Sequence, residues 1–174
     1  YVQDEWKIID PLLLSFGLRF DHYDFEDYKD NGFDDSHVSP NVLLSYQITE
    51  PLSVYARYAQ AFKGVTAIDT ASRNEGTTVN DPGTEGQTAE NFDVGIKYDD
   101  GRWFGSASLF QQRIDDVIAF GTSSRTNVGE LETWGYNIEA GARFGGFTAR
   151  LAVTESNPEL NGQELNDTSF GLGT

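Results

Sequence analysis

The chain has 174 residues, enough for one domain, with 28 acidic against 12 basic residues and a net charge of −16. So large a negative charge argues against a partner held by its phosphate backbone, and no nucleic acid is expected. The lack of Cys excludes disulfides and thiolate metal sites, and no run of about 18 apolar residues is available for a helical membrane span. A mean hydropathy of −0.46 remains compatible with a membrane β-barrel, because half of each transmembrane strand faces the lumen.

The first half of the chain is rich in residues that alternate between apolar and polar. In the stretch from Leu52 to Lys63 the even-numbered positions from Leu52 to Tyr58 are apolar, whereas Arg57 lies at the opposite parity. This period of two is typical of a strand that is apolar on one face only. Four strands are predicted here: Tyr1–Ile9, Leu12–Tyr23, Val38–Thr49 and Leu52–Phe62. Between them we expect a polar loop from Asp24 to His37, and after them a long polar connection from Gly64 to Thr88.

The second half continues the alternation with tight turns between strands. Asp99-Asp100-Gly101 and Gly145-Gly146 are typical hairpin turn sequences. The predicted strands are Ala89–Tyr98, Trp103–Phe120, Val128–Phe144, Phe147–Thr154 and a last one, cut short, over Thr168–Thr174. The remaining segments, Gly121–Asn127 and Asn157–Asp167, are expected to be loops.

Two regularities appear only when the strands are compared. Tight connections near residues 10, 50, 100 and 145 alternate with longer polar ones, as the turns and loops of outer-membrane barrels do. Five cations lie opposite the apolar residues of their own strands and are predicted to face the lumen: Arg19, Arg57, Lys97, Arg143 and Arg150. Five aromatics close to the tight turns predict an interfacial girdle: Trp6, Tyr98, Trp103, Phe144 and Phe147.

Together these patterns predict an all-β fold, an antiparallel up-and-down transmembrane β-barrel. A soluble β-sandwich is the alternative, since it would also keep charge off its core face. About nine strands do not close a barrel of the plugged-transporter size, which has about 22, and an unpaired edge is not tolerated in lipid. Residues 1–174 are therefore expected to be part of a larger outer-membrane β-barrel domain.

Short motifs in the predicted strands resemble the barrel of the TonB-dependent outer-membrane receptors. They are YVQDEWK from Tyr1, GLRFDHY from Gly17, SPN from Ser39, YARYAQAFK from Tyr55, TAENFDVG from Thr88, SLF from Ser108 and IDDVI from Ile114. The resemblance covers nearly the whole chain in the family's strand order. It implies a barrel of about 22 strands in the bacterial outer membrane, with an N-terminal plug domain, that imports scarce iron chelates, haem or cobalamin with energy supplied through TonB. The plug domain and the TonB box are not expected within this chain.

The ligand that this resemblance favours is a ferric siderophore. Haem receptors of the family carry a Phe-Arg-Ala-Pro box and an Asn-Pro-Asn-Leu box around a haem-ligating His. Here Phe62-Lys63-Gly64-Val65 and Asn80-Asp81-Pro82-Gly83 stand in those places, with no His between them. Aromatic and cationic side chains suit an anionic, arene-rich chelate, and the candidate ligand-binding residues are Lys63, Arg73, Tyr28, Phe33 and Arg125. A haem receptor of the same family and a passive porin or structural barrel are the alternatives.

Other chemistry is not expected. Asp30, Asp34 and Asp35 miss the spacing of a calcium loop, so no metal site is predicted. The two histidines, His22 and His37, flank the Asp24–His37 loop and are interpreted as ordinary residues at the barrel rim. No catalytic constellation can be assembled, so the protein is predicted not to be an enzyme and to need no cofactor besides the iron chelate or haem that it transports. The expected partners are that ligand, outer-membrane lipid and, through parts outside this chain, the TonB complex.

Overall fold

The computed structural model describes residues 1–26, 32–66, 69, 83–120 and 125–165. This part of the chain is built from strands, and it contains no helix long and apolar enough to cross a membrane. The eleven strands are β1 Val2–Ile9, β2 Leu12–Glu26, β3 Gly32–Thr49, β4 Leu52–Lys63, β5 Gln87–Asp99, β6 Trp103–Asp115, β7 Ile118–Phe120, β8 Arg125–Asn127, β9 Leu131–Phe144, β10 Phe147–Leu160 and β11 Gln163–Glu164.

Nine of these strands form one antiparallel sheet in the order β1-β2-β3-β4-β5-β6-β9-β10-β11. Every strand pairs with its neighbour in sequence, except that β6 passes directly to β9 and leaves β7 and β8 as a separate two-stranded sheet. A meander of this kind is the up-and-down topology that the alternating pattern predicts. The all-β, antiparallel architecture is therefore confirmed.

The two ends of the sheet differ in the length of their connections. At the turn end, two to three residues join β1 to β2, β3 to β4, β5 to β6 and β9 to β10. Gly101 (φ 89°) and Gly145 (φ 57°) lie in two of these turns, in the left-handed region that glycine adopts without strain. The opposite end, called here the loop end, carries the connections after β2, β4, β6 and β10, of which those after β4 and β6 are long. The predicted alternation is confirmed for the four tight turns and these two long connections, whereas the connections after β2 and β10 are shorter than predicted.

The two faces of the nine-stranded sheet differ in chemistry. Val54, Ile96, Leu109 and Ile138 lie together on the apolar face, and no second layer covers this face among the residues described. Leu109 is 63% exposed and Ile138 is 50% exposed. A soluble sandwich would bury such a face against a second sheet, so the continuous single sheet speaks against that alternative.

The polar face holds a buried aromatic side chain. Phe104 is only 9% exposed, and the guanidinium carbons of Arg143 and Arg150 lie 4.4 and 5.5 Å from its ring centre. Gly141 is its register partner on β9, and a Cβ on that glycine would lie 2.2 Å from Phe104 Cζ. The absence of a side chain at Gly141 therefore lets the ring lie flat against the sheet.

The predicted loop from Asp24 to His37 is wrong for most of its length. The β2–β3 ladder continues to the pair Glu26 and Gly32, and β3 begins at Gly32 rather than Val38. Acidic residues such as Asp34 and Asp35 occur at both parities of this extension, so no regular apolar alternation marked it. Backbone hydrogen bonding between two paired strands does not require that alternation.

The predicted strand Trp103–Phe120 is also corrected. β6 ends at Asp115, because Asp116 adopts the left-handed conformation with φ of 57°. The chain then turns into β7, which pairs with β8 inside the predicted Gly121–Asn127 loop. Gly129 has φ of 120°, and β9 therefore begins at Leu131 rather than Val128.

The predicted end of β10 at Thr154 and the loop Asn157–Asp167 are wrong as well. β10 pairs with β9 as far as Leu160, and its register includes Pro158 opposite Thr133. A proline is tolerated in a strand where its missing N–H falls at an edge, and on its other side β10 pairs only with the two-residue β11. The short strand predicted over Thr168–Thr174 lies outside the described residues.

Candidate functional site

A buried carboxylate lies at the loop end, just beyond β4. Asp69 is 1% exposed, and its Oδ2 accepts hydrogen bonds from the N–H (3.1 Å) and the hydroxyl (2.5 Å) of Thr66. Lys63 Nζ lies 3.3 Å from the same oxygen, and Arg125 Nη1 lies 2.7 Å from Oδ1. The group Lys63, Thr66, Asp69 and Arg125 is called the Asp69 clasp below.

The clasp keeps Asp69 ionised. Burial raises the pKa of this carboxyl, but the hydrogen bonds from Thr66 and Arg125 and the charge of Lys63 more than offset burial, so its pKa lies below the ordinary value. A buried carboxylate is stable only with such partners. Because Arg125 comes from β8 and Asp69 from the connection after β4, their ion pair ties two separate loops together.

The segment from 125 to 130 holds further loop contacts. Asn127 accepts a hydrogen bond from the N–H of Glu85 (2.8 Å) and donates to the Glu85 carbonyl (3.1 Å). Asn161, in the turn after β10, donates to the Val128 carbonyl (2.9 Å) and accepts from the N–H of Glu130 (3.0 Å). Three connections at the loop end therefore meet on one segment.

Beside the clasp, aromatic rings stack at the base of the β2–β3 extension. The Phe62 ring lies 4.7 Å from the His37 ring and 5.9 Å from the Tyr23 ring, centre to centre. Two glycines make room for these rings, since a Cβ on Gly64 would lie 2.5 Å from Tyr23 and one on Gly86 would lie 2.7 Å from Phe62. His37 Nε2 is buried without a hydrogen-bond partner among the described residues.

The stacked rings form one wall of an open cleft of about 490 Å³. Half of its other lining residues are acidic, namely Asp34, Asp35, Glu85 and Asp116. A planar ligand can stack on such rings, whereas an anionic group is repelled by the carboxylates. Among the residues described, no group of three or more His, Asp or Glu side chains is placed to hold a metal ion.

A larger concavity of about 850 Å³ lies on the polar face in the middle of the sheet. It is lined by Tyr55, Arg57, Asp93 and Lys97, together with amides such as Gln112. Lys97 Nζ stands 4.8 Å from the centre of the Tyr55 ring, and Arg57 is the register partner of Asp93. The surface offers both charges and hydrogen-bond donors to whatever it faces.

All five cations predicted to face the lumen lie at register positions of this polar face. Arg19 binds Asp21 (2.7 Å) and the Phe62 carbonyl (3.2 Å). Arg143 forms a two-pronged ion pair with Asp99. The rest of the set is Arg57 and Lys97 in the concavity and Arg150, which lies 3.5 Å from Glu139. That this face is the lumen of a closed barrel stays a prediction.

The structure brings together two of the five predicted ligand-binding residues. Lys63 and Arg125 converge on Asp69, a residue for which the sequence carries no periodic or motif signal. Phe33 lies in β3 as the register partner of Phe25, but its side chain is not among those described. Tyr28 and Arg73 lie outside the described residues. Ligand binding by all five stays a prediction.

The cleft residues Tyr23, His37 and Phe62 were not predicted as a group. Their proximity depends on β4 leaving β3 after the pair Asn41 and Ala59, which no local pattern indicates. The only sequence signal for this ring stack is that Phe62 lies two residues before Gly64, where the long connection after β4 begins.

Comparisons with known proteins place the chain in a family. A family model described as TonB dependent receptor-like, beta-barrel matches residues 1–172. The heme transporter BhuA of Brucella ovis is 29% identical over 117 residues, covering 66% of this chain and 18% of that protein. The heme/hemopexin utilization protein C of Haemophilus influenzae is 30% identical over 147 residues, covering 68% of this chain and 20% of that protein. The chain thus spans about a fifth of the length of these relatives.

Solved structures agree. The FrpB iron transporter from Neisseria meningitidis (F3-3 variant) superposes with a TM-score of 0.70 at 25% identity, covering 90% of this chain and 24% of that one. The ferric yersiniabactin uptake receptor FyuA from Yersinia pestis matches in fold with a TM-score of 0.72 at 20% identity, covering 95% of this chain and 26% of that one. The chain therefore belongs to the TonB-dependent receptors, which are transporters of the bacterial outer membrane and not enzymes, and it forms part of the β-barrel of a larger protein.

Proposed function

We propose that the protein to which this chain belongs imports an iron compound across the outer membrane, with energy supplied through the TonB complex. The observation that carries this proposal is the family match over residues 1–172, supported by an antiparallel sheet whose exposed apolar face suits lipid. Transport requires a plug domain and a TonB box, which we expect elsewhere in the protein. A passive porin is the competing function.

A ferric siderophore is the first candidate ligand. Such chelates are commonly anionic and aromatic, so cations and aromatic rings at the loop end suit them. Lys63 is 54% exposed even while it contacts Asp69, and its ammonium group is therefore accessible to an anionic ligand. Arg73, Tyr28, Phe33 and Arg125 are the other residues proposed to contact the chelate.

Haem is the second candidate, and two observations favour it. The relatives BhuA and the heme/hemopexin utilization protein C are both named for haem. In addition, His37 and Tyr23 stack with Phe62 beside a cleft of about 490 Å³, and imidazole and phenol are both side-chain types that ligate haem iron. The acidic rim of this cleft is unfavourable for the haem propionates.

Binding to the purified full-length receptor separates the two ligands. Titration with haemin and with a panel of ferric siderophores, followed by tryptophan fluorescence, is expected to give saturable binding with one class only. For a siderophore, Lys63→Ala and Arg73→Ala are each expected to weaken binding about tenfold. For haemin, His37→Ala is expected to weaken binding and to alter the absorption spectrum of the bound haem.

The matched control is Arg113→Ala, an arginine at the same end of the sheet that pairs with Asp115 and Glu130. It is expected to leave binding unchanged. Undiminished siderophore binding by both Lys63→Ala and Arg73→Ala would remove these residues from the site. A failure to bind any iron compound would contradict the proposed function.

A further inference from the structure

Exposed aromatic side chains from two adjacent turns meet on the apolar face at the turn end. Trp103 begins β6 and is 51% exposed, Phe144 ends β9 and is 45% exposed, and Phe147 begins β10 and is 83% exposed. They are neighbours because β6 pairs with β9 and Phe144 is the register partner of Phe147. The Trp103 and Phe144 rings contact edge to face, with centres 5.5 Å apart.

One cation stands over these rings. The guanidinium carbon of Arg102 lies 5.0 Å from the centre of the Phe144 ring and 5.7 Å from that of Trp103. Both distances are within the range of a cation–π contact. The rings therefore hold an exposed guanidinium at the border between the apolar face and the polar turn.

The carboxylates nearest to Arg102 are engaged by other donors. Asp99 accepts hydrogen bonds from both terminal nitrogens of the Arg143 guanidinium, at 2.7 and 2.9 Å. Asp100 accepts the N–H groups of Arg102 and Trp103 and the hydroxyl of Tyr98. Within the described ranges, the Arg102 guanidinium has no ion pair and the indole N–H of Trp103 has no hydrogen-bond partner. Two kinds of donor are thus available to an external acceptor.

We propose that Arg102, Trp103, Phe144 and Phe147 form a binding site for one phospholipid of the leaflet at the turn end. The guanidinium and the indole N–H hold the lipid phosphate, and the three rings hold the first part of an acyl chain. Arginine binds phosphate through paired donors, and tryptophan favours the boundary where one end of the ring is apolar and the other is polar.

The position of the cluster identifies its occupant. The rings continue the exposed apolar face of the sheet, so they meet the same lipid as Leu109 and Ile138 do. Tight turns of outer-membrane barrels lie on the periplasmic side, where the leaflet consists of phospholipid. A phosphate group at this depth complements the unpaired guanidinium. The proposal rests on the barrel fold and is independent of which iron compound is transported.

Native mass spectrometry of the full-length receptor, with phosphatidylglycerol added to the detergent, tests this site. The unmodified receptor is expected to retain one tightly bound lipid. Arg102→Gln is expected to weaken its binding about tenfold, because a charge-assisted hydrogen bond is lost. Trp103→Phe, which keeps an aromatic ring but removes the N–H, is expected to produce a smaller loss.

Lys7→Gln is the matched control, since Lys7 lies at the same end of the sheet but pairs with Asp10 at 2.9 Å. It is expected to leave lipid binding unchanged. Equal losses from Lys7→Gln and Arg102→Gln, or no loss from Arg102→Gln, would overturn the proposal.

Two further results would contradict the proposed lipid site. Displacement of the lipid by inorganic phosphate alone would indicate a simple anion site, and dimers that depend on Arg102 would indicate that a second copy of the protein binds there. Arg102→Lys, which keeps the charge but not the planar fork, gives the same comparison if Arg102→Gln does not fold.

Discussion

At the scale of single residues, Asp69 determines how two connections at the loop end are held together. Its carboxylate has lost its contact with water and receives donors from Thr66, Lys63 and Arg125 instead. Such a group stabilises the folded loops only as long as it is ionised and its partners stay in place. The same residue also competes with any anionic ligand for Lys63 and Arg125.

Replacing Asp69 tests the clasp. Asp69→Asn keeps the size of the side chain but removes its charge, so Lys63 and Arg125 lose an ionic partner. The free energy of local opening is expected to fall by about 1 to 3 kcal/mol, measured by hydrogen exchange of the 63–69 and 125–130 segments in the full-length receptor. Asp21→Asn is the control, because the pair of Asp21 with Arg19 lies within the β2–β3 ladder. Unchanged exchange in Asp69→Asn would show that the ion pair does not hold the loops.

The clasp also predicts a dependence on pH. The pKa of Asp69 lies below its ordinary 3.8, so its contribution to stability is fully present above the unfolded-state value and is lost as the pH falls through the lower folded-state value. The hydrogen-exchange protection factor of the 63–69 segment, which is the observed rate corrected for the intrinsic pH dependence of amide exchange, is therefore expected to be constant from neutral pH down to about pH 4 and to fall below it. Asp69→Asn is expected to remove this acid transition. Loss of protection that begins near neutral pH would identify a different titrating group.

At the scale of elements, the contact between β6 and β9 depends on a glycine. A Cβ on Gly141 would lie 2.2 Å from Phe104 Cζ and 2.6 Å from the Ala149 carbonyl oxygen, and the latter belongs to the β10 backbone and cannot turn aside. We expect Gly141→Ala to lower the stability of the barrel by about 1 to 3 kcal/mol, measured by urea unfolding in lipid vesicles.

Gly146→Ala is the matched control for this change. Gly146 lies in the next turn along the chain, where an added Cβ would meet nothing within 4 Å. Its stability is expected to equal or slightly exceed that of the parent, because alanine reduces the entropy of the unfolded chain. Equal stabilities for Gly141→Ala and Gly146→Ala would mean that Phe104 does not require the glycine.

The elements also show which parts of the fold can be predicted from the sequence. Strands that lie between an apolar and a polar environment alternate visibly, and β4 and β5 were predicted to within two residues at each end. The extension of β2 and β3 beyond Tyr23 and Val38 lacks that contrast, because acidic residues occur at both of its parities. The β7–β8 hairpin escaped prediction because its boundary depends on the left-handed backbone of Asp116.

The candidate site was predictable only in part. Lys63 was selected as a cation at the end of a predicted strand and Arg125 as one in a predicted loop, but their common partner Asp69 is an isolated acid in the long connection after β4. Residues separated by 56 positions meet there, and only the pairing of whole strands determines that distance. Residues whose function depends on long-range contacts cannot be identified from local patterns.

At the scale of the whole molecule, a single sheet with an exposed apolar face and a charged polar face fits a segment of a membrane barrel. The curated relatives it matches are about five times longer than the matching part, so transport is proposed only for the complete protein. The polar face with Arg57 and Lys97 is predicted to be the surface that meets the contents of the closed barrel.

The most direct test of the proposed function is the uptake of an iron-labelled ligand by iron-limited cells that express the full-length receptor. The ligand is the compound that binds the purified protein. We expect uptake in cells with an intact TonB complex, and its loss either in a strain lacking TonB or when the proton gradient is collapsed, while binding to the cell surface persists. Equal uptake in the presence and absence of TonB would indicate passive diffusion through a porin and would contradict the account.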